Sequence, residues 1–471
     1  METTQRNIEF NVLNQIKIEM IHEKSMDLLE NFGMRVNGDR TIDCLKKYGC
    51  TVDGDLVKFP KAIVDKALNT IPKEITLYNR DGQKSMVINS QNNVYFGTHS
   101  DQLEILDFKT NTARPFVKSD IKDMCKIASA LPNISFVLSV GMCADVDPKV
   151  QSQITFIETV KNFDKTINFS TNDIGSLQEI IDIAAIVAGG HKELAEKPFI
   201  FNYCEPIPPL THPVESTEKL FISATNRIPV VYMPYSMMGG TAPLSIAAAL
   251  TQNNAEILAG VVITQAVNEG APMIYGSMPT IFDMQTTIGS YGAPEFHKSI
   301  AAASELANYY NLPFYGTAGC SDAKTIDPQS VAEVQMELFS TILSKANLIH
   351  DVGVLDHCNS VAPAMVVLAN EMIDQLSAYS KGVEVTEKTL AMDVIKTVGQ
   401  GGHYLNEKHT LKNFRNVWYP EFFKRRMVNP DQSDVMVMVN DKIEGILANH
   451  VVPSLDPSIL AEIEKIEKKY S

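Results

Sequence analysis

The sequence predicts an α/β protein built on a (β/α)8 barrel, with an N-terminal α+β extension and a mainly helical C-terminal extension. Eight short apolar runs, rich in β-branched and aromatic residues, alternate with helical patterns about every 30–40 residues, as βα units do. The runs are apolar throughout, which is typical of parallel strands that are buried on both faces. An open doubly wound sheet with one or two fewer strands is the alternative that this pattern allows.

Residues 1–90 are predicted to form the N-terminal extension. Apolar residues recur at helical spacing in the first of its segments, which Gly33 ends, and Pro60 precedes a later helix. The predicted elements are helices over 16–32, 41–48 and 61–69 and short strands at 86–88 and 104–107.

Residues 91–380 are predicted to form the barrel. Its predicted strands are 94–96, 134–140, 166–170, 199–204, 230–235, 272–277, 313–317 and 348–352. The helices are predicted to begin near Ser119, Pro148, Ile174, Pro213, Pro243, Glu295 and Gln329 and after Ser360. Prolines at or near several of these starts fit the first turn of a helix, where no amide donor is needed.

Residues 381–471 lack this rhythm and are predicted to form the C-terminal extension. The patterns predict helices over 386–398 and 458–470, separated by a glycine-rich break at 399–402. The segment 403–426 contains Trp418, the only tryptophan of the chain, together with several other aromatic residues.

Charge and cysteine content restrict the class of protein. The 41 Lys and Arg residues are outnumbered by 56 Asp and Glu residues, a net charge of −15 that disfavours nucleic-acid and anionic-membrane partners. Seven cysteines without a C-x-x-C pair indicate reduced thiols. The first residues lack the apolar region of a signal peptide, and the most apolar stretch, 257–267, is too short to span a bilayer. A soluble, cytoplasmic protein is therefore expected.

The strand ends of such a barrel carry the active site, which selects candidate residues. The candidates for substrate contact are Tyr95, His99, Asp101, Tyr235, Gly239, Gly240, Tyr275, Thr317, Gly319 and His350. The candidate catalytic groups are Glu205, Asp322 and His350. Aromatic and acidic residues with almost no Lys or Arg, Lys324 being the exception, suit an organic cation better than a phosphate. The same aromatic residues also fit ordinary packing of the barrel interior.

Several familiar catalytic patterns are missing from the sequence. It contains no H-E-x-x-H, G-x-S-x-G or G-x-x-x-x-G-K-[ST] motif, and we therefore predict no zinc site, serine nucleophile elbow or P-loop. Neighbouring His and Asp residues at 99–101 and 350–351 are too unspecific to predict a metal, and hydrogen-bonding roles are preferred. Cys320, without a sequence partner, is interpreted as a packing residue.

Three motifs give the sequence a family resemblance. They are Gly316-Thr317-Ala318-Gly319-Cys320-Ser321-Asp322-Ala323-Lys324, Phe96-Gly97-Thr98 and Trp418-Tyr419-Pro420. Together they resemble the trimethylamine methyltransferase family, and the resemblance extends over nearly the whole chain. It implies a barrel enzyme that moves a methyl group from a methylated amine to the cobalt of a corrinoid carried by a separate small protein.

The absence of pyrrolysine narrows what the resemblance implies. Founding members of the family place pyrrolysine in the active site and use trimethylamine, whereas this sequence contains only the twenty standard residues. It is therefore similar to the branch that uses quaternary amines such as glycine betaine, proline betaine or carnitine. His99, His350 or the amides near Gly239 and Gly240 are the predicted donors to a betaine carboxylate.

Co(I) attack on a quaternary ammonium releases a neutral tertiary amine, so the protein has to align the methyl group and exclude water. No D-x-H-x-x-G motif is present, which predicts a corrinoid-carrying partner at the barrel mouth and no cofactor held stably by this chain. A homo-oligomer is also expected.

Two alternative functions are open for this sequence. One is a lyase or hydrolase that uses Glu205 or Asp322 with a histidine, and the other is a non-catalytic barrel that binds quaternary amines.

Overall fold

A closed barrel of eight parallel strands forms the centre of the computed structural model, which describes residues 10–90, 94–344, 346–425 and 434–470. The strands are β1 (Tyr95–Thr98), β2 (Ile134–Leu138), β3 (Thr166–Phe169), β4 (Ile200–Cys204), β5 (Val230–Tyr232), β6 (Met273–Gly276), β7 (Phe314–Thr317) and β8 (Leu348–Val352). Each strand pairs with the next, and β8 closes on β1 with Leu348 opposite Tyr95. The predicted fold class is confirmed, and the open sheet is excluded.

A helix follows every barrel strand, as predicted. The barrel helices are α1 (Lys118–Ala130), α2 (Gln151–Asn162), α3 (Ile174–Ala188), α4 (Val214–Asn226), α5 (Ile246–Val267), α6 (Pro294–Tyr309), α7 (Pro328–Leu343) and α8 (Pro363–Ser380), and a short helix, His191–Glu196, precedes β4. Proline opens α6, α7 and α8, while Pro213 is the residue before α4. The Asp327 side chain caps α7 by accepting from the amide of Ser330, so the chain turns sharply at this helix start.

Helix α5 is the longest helix in the described part of the chain. It has 22 residues and is long and apolar enough to cross a membrane by length and composition, but 78% of its most apolar window is buried. Gly260 allows close approach to the sheet, because a Cβ atom there would lie 2.3 Å from Cδ1 of Tyr232. The helix is therefore a core helix of the barrel wall, longer than the apolar stretch read from the sequence.

The N-terminal part packs on α5 and on the end of the barrel where the strands begin. Its helices are Gln15–Asp27, Asp39–Tyr48 and Lys61–Thr70, and its strands are Met34–Val36, Thr51–Asp53, Leu56–Lys58, Glu74–Tyr78 and Lys84–Asn89. The segment predicted as one helix over 16–32 continues from the first α-helix into a π-helical turn, Leu28–Phe32, and ends at Gly33 with φ +84°. Strand Met34–Val36 pairs with Thr211–His212 after β4, which joins this part to the barrel.

Two small sheets surround the barrel mouth, which is the end where the strands finish. One contains Glu104–Asp107, Thr112–Pro115, Val354–Leu355 and Ser360–Val361, and the other contains Tyr235–Met238, Met278–Phe282 and Gly289–Ser290. They are formed by the loops that follow β1, β8, β5 and β6. The strand predicted at 104–107 is thus present, but it belongs to the mouth rather than to the N-terminal part.

The C-terminal part begins with an exposed segment. The prediction of one helix over 386–398 is wrong, because Ala391 adopts φ +48° and separates Glu387–Leu390 from Met392–Val398. Further elements are Lys408–Asn413, the 3-10 turn Phe414–Asn416, Val435–Asn449 and Pro457–Glu467. Residues 382–420, called the arm below, contain no buried side chain. Residue 426, the end of the predicted aromatic segment, lies outside the described residues.

One continuous hydrophobic core runs through the molecule. It includes Phe59 of the N-terminal part, Phe136, Phe201 and Tyr315 inside the barrel, and Val439 near the C-terminus. The division into 1–90, 91–380 and 381–471 therefore stays a prediction, since apolar packing is not interrupted at either boundary.

Candidate active site

Three rings form the floor of the barrel mouth. Tyr203 lies in β4, Tyr315 in β7 and His350 in β8. The centroid of the His350 ring is 4.8 Å from that of Tyr315 and 6.0 Å from that of Tyr203. The Tyr315 hydroxyl donates to Oδ1 of Asn168 at 2.7 Å. Aromatic faces are therefore held rigidly where the strands converge, although the two tyrosines were not among the predicted site residues.

The His350 imidazole is held by the protein on both ring nitrogens. Nδ1 lies 2.9 Å from the carbonyl oxygen of Gly316, which can only accept, so Nδ1 carries a proton. Nε2 lies 3.2 Å from Oδ2 of Asp351. Burial raises the pKa of Asp351, while the neighbouring His350 acts to lower it. His350 consequently has no free donor for a betaine carboxylate.

Three acidic side chains, Asp101, Glu205 and Asp351, lie close enough together for their charges to interact. Burial raises the pKa of each of them, that of Glu205 to about 7, and their mutual repulsion adds to the effect. The Tyr203 hydroxyl donates to Glu205, and the Ser170 hydroxyl donates to Oδ2 of Asp101 at 2.6 Å. The mouth therefore brings several carboxyl groups together beside the aromatic floor.

Asp101 is exposed to solvent although the surrounding protein raises its pKa, a combination expected on the wall of a concave cavity. It borders a small cleft between β3 and α2. Hydroxyl and amide groups line this cleft, among them those of Ser139, Ser152, Thr155 and Asn168. The cleft gives polar surroundings to one side of the mouth.

Lys219 of α4 also reaches the mouth, and the sequence did not indicate it. Its Nζ donates to the carbonyl oxygen of Thr171 at 2.5 Å, and its charge interacts with Asp101 and Glu205. It was missed because it lies in mid-helix, well beyond the end of β4. Only the packing of α4 against the barrel places it there.

Tyr235 lies at the mouth, at the start of the strand Tyr235–Met238 that follows β5. Its hydroxyl interacts with that of Tyr291, and burial raises the pKa of Tyr235 to about 12. The charges of Glu205 and Asp351 act on the Tyr235 hydroxyl as well. Tyr291, which the sequence did not indicate, therefore completes this wall of the mouth.

Asp322 holds a loop rather than facing the cavity as a free acid. Its carboxylate accepts from the Ser290 hydroxyl, from the amides of Tyr291 at 2.7 Å and Gly292 at 3.1 Å, and it lies 3.0 Å from Nδ1 of His357. These partners occupy both carboxylate oxygens. Asp322 therefore holds the loop that contains Tyr291, and its role as a catalytic acid stays a prediction.

Thr317, Gly319 and Cys320 support the loop after β7. The Thr317 hydroxyl lies 2.7 Å from the sulfur of Met278 and 3.3 Å from Nδ1 of His350. Gly319 adopts φ +87°, and a Cβ atom there would lie 3.0 Å from Cα of Val352. The amide of Cys320 donates to the buried carboxyl of Glu337 at 2.7 Å. Thr317 thus adjoins the floor, whereas the other two residues fix the loop.

Two predicted tyrosines do not lie at the mouth. Tyr95 opens β1 at the opposite end of the barrel, where its hydroxyl accepts from the amide of Val87 at 3.4 Å. The Tyr275 hydroxyl donates to Oδ1 of Asn254 on α5 at 2.9 Å, so this side chain points outward between sheet and helix. Strand side chains alternate between the two faces of a sheet, and the register that decides between them is not visible in a uniformly apolar strand.

The remaining predicted donors are also unsuited to a ligand carboxylate. The amides of Gly239 and Gly240 donate to the carbonyls of Ala242 and Met237 within a tight turn. His99 is fully buried, its ring nitrogens have no partner among the described residues, and burial lowers its pKa to about 3. Within the described part of the chain, no group of three or more His, Cys, Asp or Glu residues is arranged to hold a metal ion.

Comparison with known proteins identifies the family of this barrel. The family model of trimethylamine methyltransferase (MTTB) matches residues 1–470. The chain belongs to the MTTB family. It is a methyltransferase of that family, as the sequence motifs predicted.

MTTB relatives match over nearly their whole length. Glycine betaine methyltransferase of Desulfitobacterium hafniense strain Y51 is 30% identical over 465 residues, which is 97% of this chain and 96% of that protein. Trimethylamine methyltransferase MttB of Methanosarcina barkeri strain Fusaro is 30% identical over 478 residues, covering 98% and 95%. The crystal structure of the M. barkeri monomethylamine methyltransferase MtmB superposes with a TM-score of 0.51 at 12% identity, covering 95% and 97%, and supports the fold alone.

Proposed function

We propose that this MTTB-family enzyme transfers a methyl group from a quaternary amine of the betaine type to Co(I) of a corrinoid carried by a separate protein. The observation that supports this best is the mouth itself, where the half-buried ring of Tyr203, packed against the fully buried Tyr315, adjoins the acids Asp101, Glu205 and Asp351. A quaternary ammonium has no N–H group and cannot donate a conventional hydrogen bond. Aromatic ring faces and carboxylates bind it through its charge instead. The 30% identity to a glycine betaine methyltransferase supports the betaine type.

The residues of the mouth have to bind, orient and desolvate the substrate. Co(I) of the corrinoid supplies the nucleophile that takes the methyl group. The departing amine is neutral, so no side chain needs to donate a proton to it. The ring faces and carboxylates hold the ammonium on the floor with one methyl group directed outward, and alignment of this kind is the main contribution that the protein has to make.

Exposed apolar side chains around the mouth support docking of the corrinoid carrier there. Their exposed fractions range from 44% to 69%, and they are Leu103, Ile207, Leu244, Met284 and Ile288. All five belong to segments that follow barrel strands. An apolar rim around a polar cavity is typical of a protein interaction site, and docking on it would exclude water from the substrate.

The arm supports self-association with a second copy of the chain. None of residues 382–420 is buried, although ordering each residue costs about 1–2 kcal/mol of conformational entropy. The arm is anchored on α8, where Nε1 of Trp418 donates to Asp374 at 2.6 Å. The arm has four acidic and five basic residues and is therefore nearly neutral, whereas the whole chain has a net charge of −15. Two arms would therefore repel each other less than two other surfaces of this acidic chain. A second copy of the chain is always present at the same concentration, and it could bury the arm of each subunit.

Two further proposals concern location and metal content. The seven cysteines are all free thiols, which agrees with a reducing, cytoplasmic location. The proposed reaction needs no Lewis acid from this chain, and no metal bound by it is proposed.

The test is methyl transfer to free Co(I) corrinoid under anaerobic conditions. The purified enzyme is incubated with glycine betaine, proline betaine, carnitine or trimethylamine while the cobalt absorption spectrum is recorded. The proposal predicts methyl-Co(III) formation with at least one quaternary amine and none with trimethylamine. Robust activity on trimethylamine alone would contradict it.

A lyase or hydrolase based on Glu205 is the second candidate function. The pKa of Glu205 at about 7 favours it, since a general acid–base works best near the operating pH. Turnover of a substrate without any corrinoid would support this candidate. Quaternary amine binding without any turnover would instead indicate a non-catalytic barrel.

A further inference from the structure

We infer that Lys219 binds the carboxylate of the substrate and so determines a preference for betaines over quaternary amines that carry no anionic group. This inference rests on the proposed function and adds to it a residue for specificity. Lys219 was not among the carboxylate donors predicted from the sequence.

The ammonium group of Lys219 is available to bind a ligand. The side chain is half-buried, and its Nζ donates to the carbonyl oxygen of Thr171 at 2.5 Å. Among the described residues, no carboxylate forms an ion pair with Nζ. An ammonium group has three donors, so up to two remain for a ligand.

The other donors near the mouth are committed elsewhere. His350 uses Nδ1 on Gly316 and Nε2 on Asp351, and His99 is sealed in the interior. Lys324 is 81% exposed and lies 3.7 Å from Asp356. Lys219 is therefore the cationic side chain of the described mouth that remains available to an anion inside the cavity.

The charges around Lys219 match those of a betaine. A betaine joins a quaternary ammonium to a carboxylate through a short carbon chain, so its two charges lie a few bonds apart. Lys219 interacts electrostatically with both Glu205 and Asp101, so a positive and a negative group of the protein both act on this part of the mouth. A substrate with its ammonium near Glu205 and Tyr203 and its carboxylate near Lys219 satisfies both, whereas an uncharged tail leaves Lys219 without an anion.

The test compares glycine betaine with choline, which keeps the trimethylammonium group and replaces the carboxylate by a hydroxymethyl group. Binding of each is measured by calorimetry, and methyl transfer to free Co(I) corrinoid is measured alongside. The variants are Lys219→Met and Lys219→Arg, and Lys324→Met is the matched control at the exposed rim. Thermal unfolding of each variant verifies that it is folded.

Lys219→Met should weaken glycine betaine binding by about tenfold or more, because a hydrogen bond between charged groups is lost, and should change choline binding by less than about twofold. Lys219→Arg should recover part of the glycine betaine affinity, and Lys324→Met should change neither ligand. Equal losses for both ligands, or no loss for either, would overturn the inference. A native enzyme without methyl transfer from any quaternary amine would contradict the proposed function instead, and the binding comparison would still decide the role of Lys219.

Discussion

At the scale of single residues, Glu205 links the electrostatics of the mouth to substrate affinity. Its carboxyl accepts from Tyr203 and is surrounded by the charges of Asp101, Asp351 and Lys219. Burial raises its pKa to about 7, so its negative charge develops as the pH rises through neutrality. An organic cation should therefore bind this site more tightly at higher pH.

Choline binding should strengthen between pH 6 and pH 8 in the native enzyme, and Glu205→Gln should flatten this dependence because the amide does not ionise. Calorimetric dissociation constants at several pH values measure the effect. An unchanged slope in the Gln variant would assign the dependence to another group, with Asp101 as the next candidate.

The tyrosines allow a matched comparison between the two ends of the barrel. Tyr235→Ala should weaken quaternary amine binding by about threefold to thirtyfold, the equivalent of 0.5–2 kcal/mol for one ring face, and Tyr235→Phe should change it much less. Tyr95→Ala should leave binding unchanged, because Tyr95 lies at the opposite end of β1. Similar losses in the Tyr235 and Tyr95 variants would show that the mouth has been placed wrongly.

At the scale of elements, the barrel strands and helices were predictable from the sequence for a physical reason. Parallel strands covered by helices are buried on both faces and appear as apolar runs, and the helices between them carry one apolar face. The break at Ala391 was not predictable, since nothing in the sequence there requires a left-handed residue. The mouth sheets were mostly missed because most of their strands are too short to show a period.

The candidate site was predictable only in part. The rule that strand ends form the site found Asp101, Glu205, Tyr235 and His350, all of which lie at the mouth. It cannot decide which way a strand residue points, nor find a residue that a helix brings in. Tyr275 and Lys219 are the corresponding failures, and both depend on tertiary packing.

Gly319 tests the packing of the loop after β7. Gly319→Ala should lower the free energy of unfolding by about 1–3 kcal/mol, since φ +87° strains any side chain and the new Cβ would crowd Val352. Gly189→Ala is the control, because Gly189 has a similar φ of +91° but no atom within 4 Å of the added Cβ. Denaturant unfolding measures both variants. Equal losses would mean that the contact with Val352 contributes nothing beyond the backbone strain.

The arm is an element whose role can be tested separately. Replacing its exposed Leu405 and Leu411 together by Asp should convert the oligomer to monomers, because charged side chains oppose burial of that surface. Light scattering coupled to size exclusion measures the mass. The control is Val451→Asp, an exposed apolar residue outside the arm. A monomeric native enzyme, or an oligomer that survives the double substitution, would contradict self-association through the arm.

At the scale of the whole molecule, the barrel brings distant segments of the chain to one cavity. Asp101 follows β1, Glu205 follows β4 and His350 lies in β8, and Lys219 arrives on α4. The apolar rim, formed by the loops of the same end, surrounds this charged interior with a surface suited to a protein partner. The proposed function thus depends on one end of the barrel, and the opposite end is covered by the N-terminal part.

The central claim is that the methyl group passes from a quaternary amine to cobalt, and labelled substrate tests it most directly. Glycine betaine carrying isotopically labelled methyl groups is incubated with the enzyme and free Co(I) corrinoid, and the products are analysed by mass spectrometry. We predict labelled methyl-Co(III) corrinoid and dimethylglycine in equal amounts, with proline betaine or carnitine giving the corresponding products if either is preferred. Unlabelled corrinoid with every quaternary amine, in the presence of a folded enzyme that binds them, would contradict the claim.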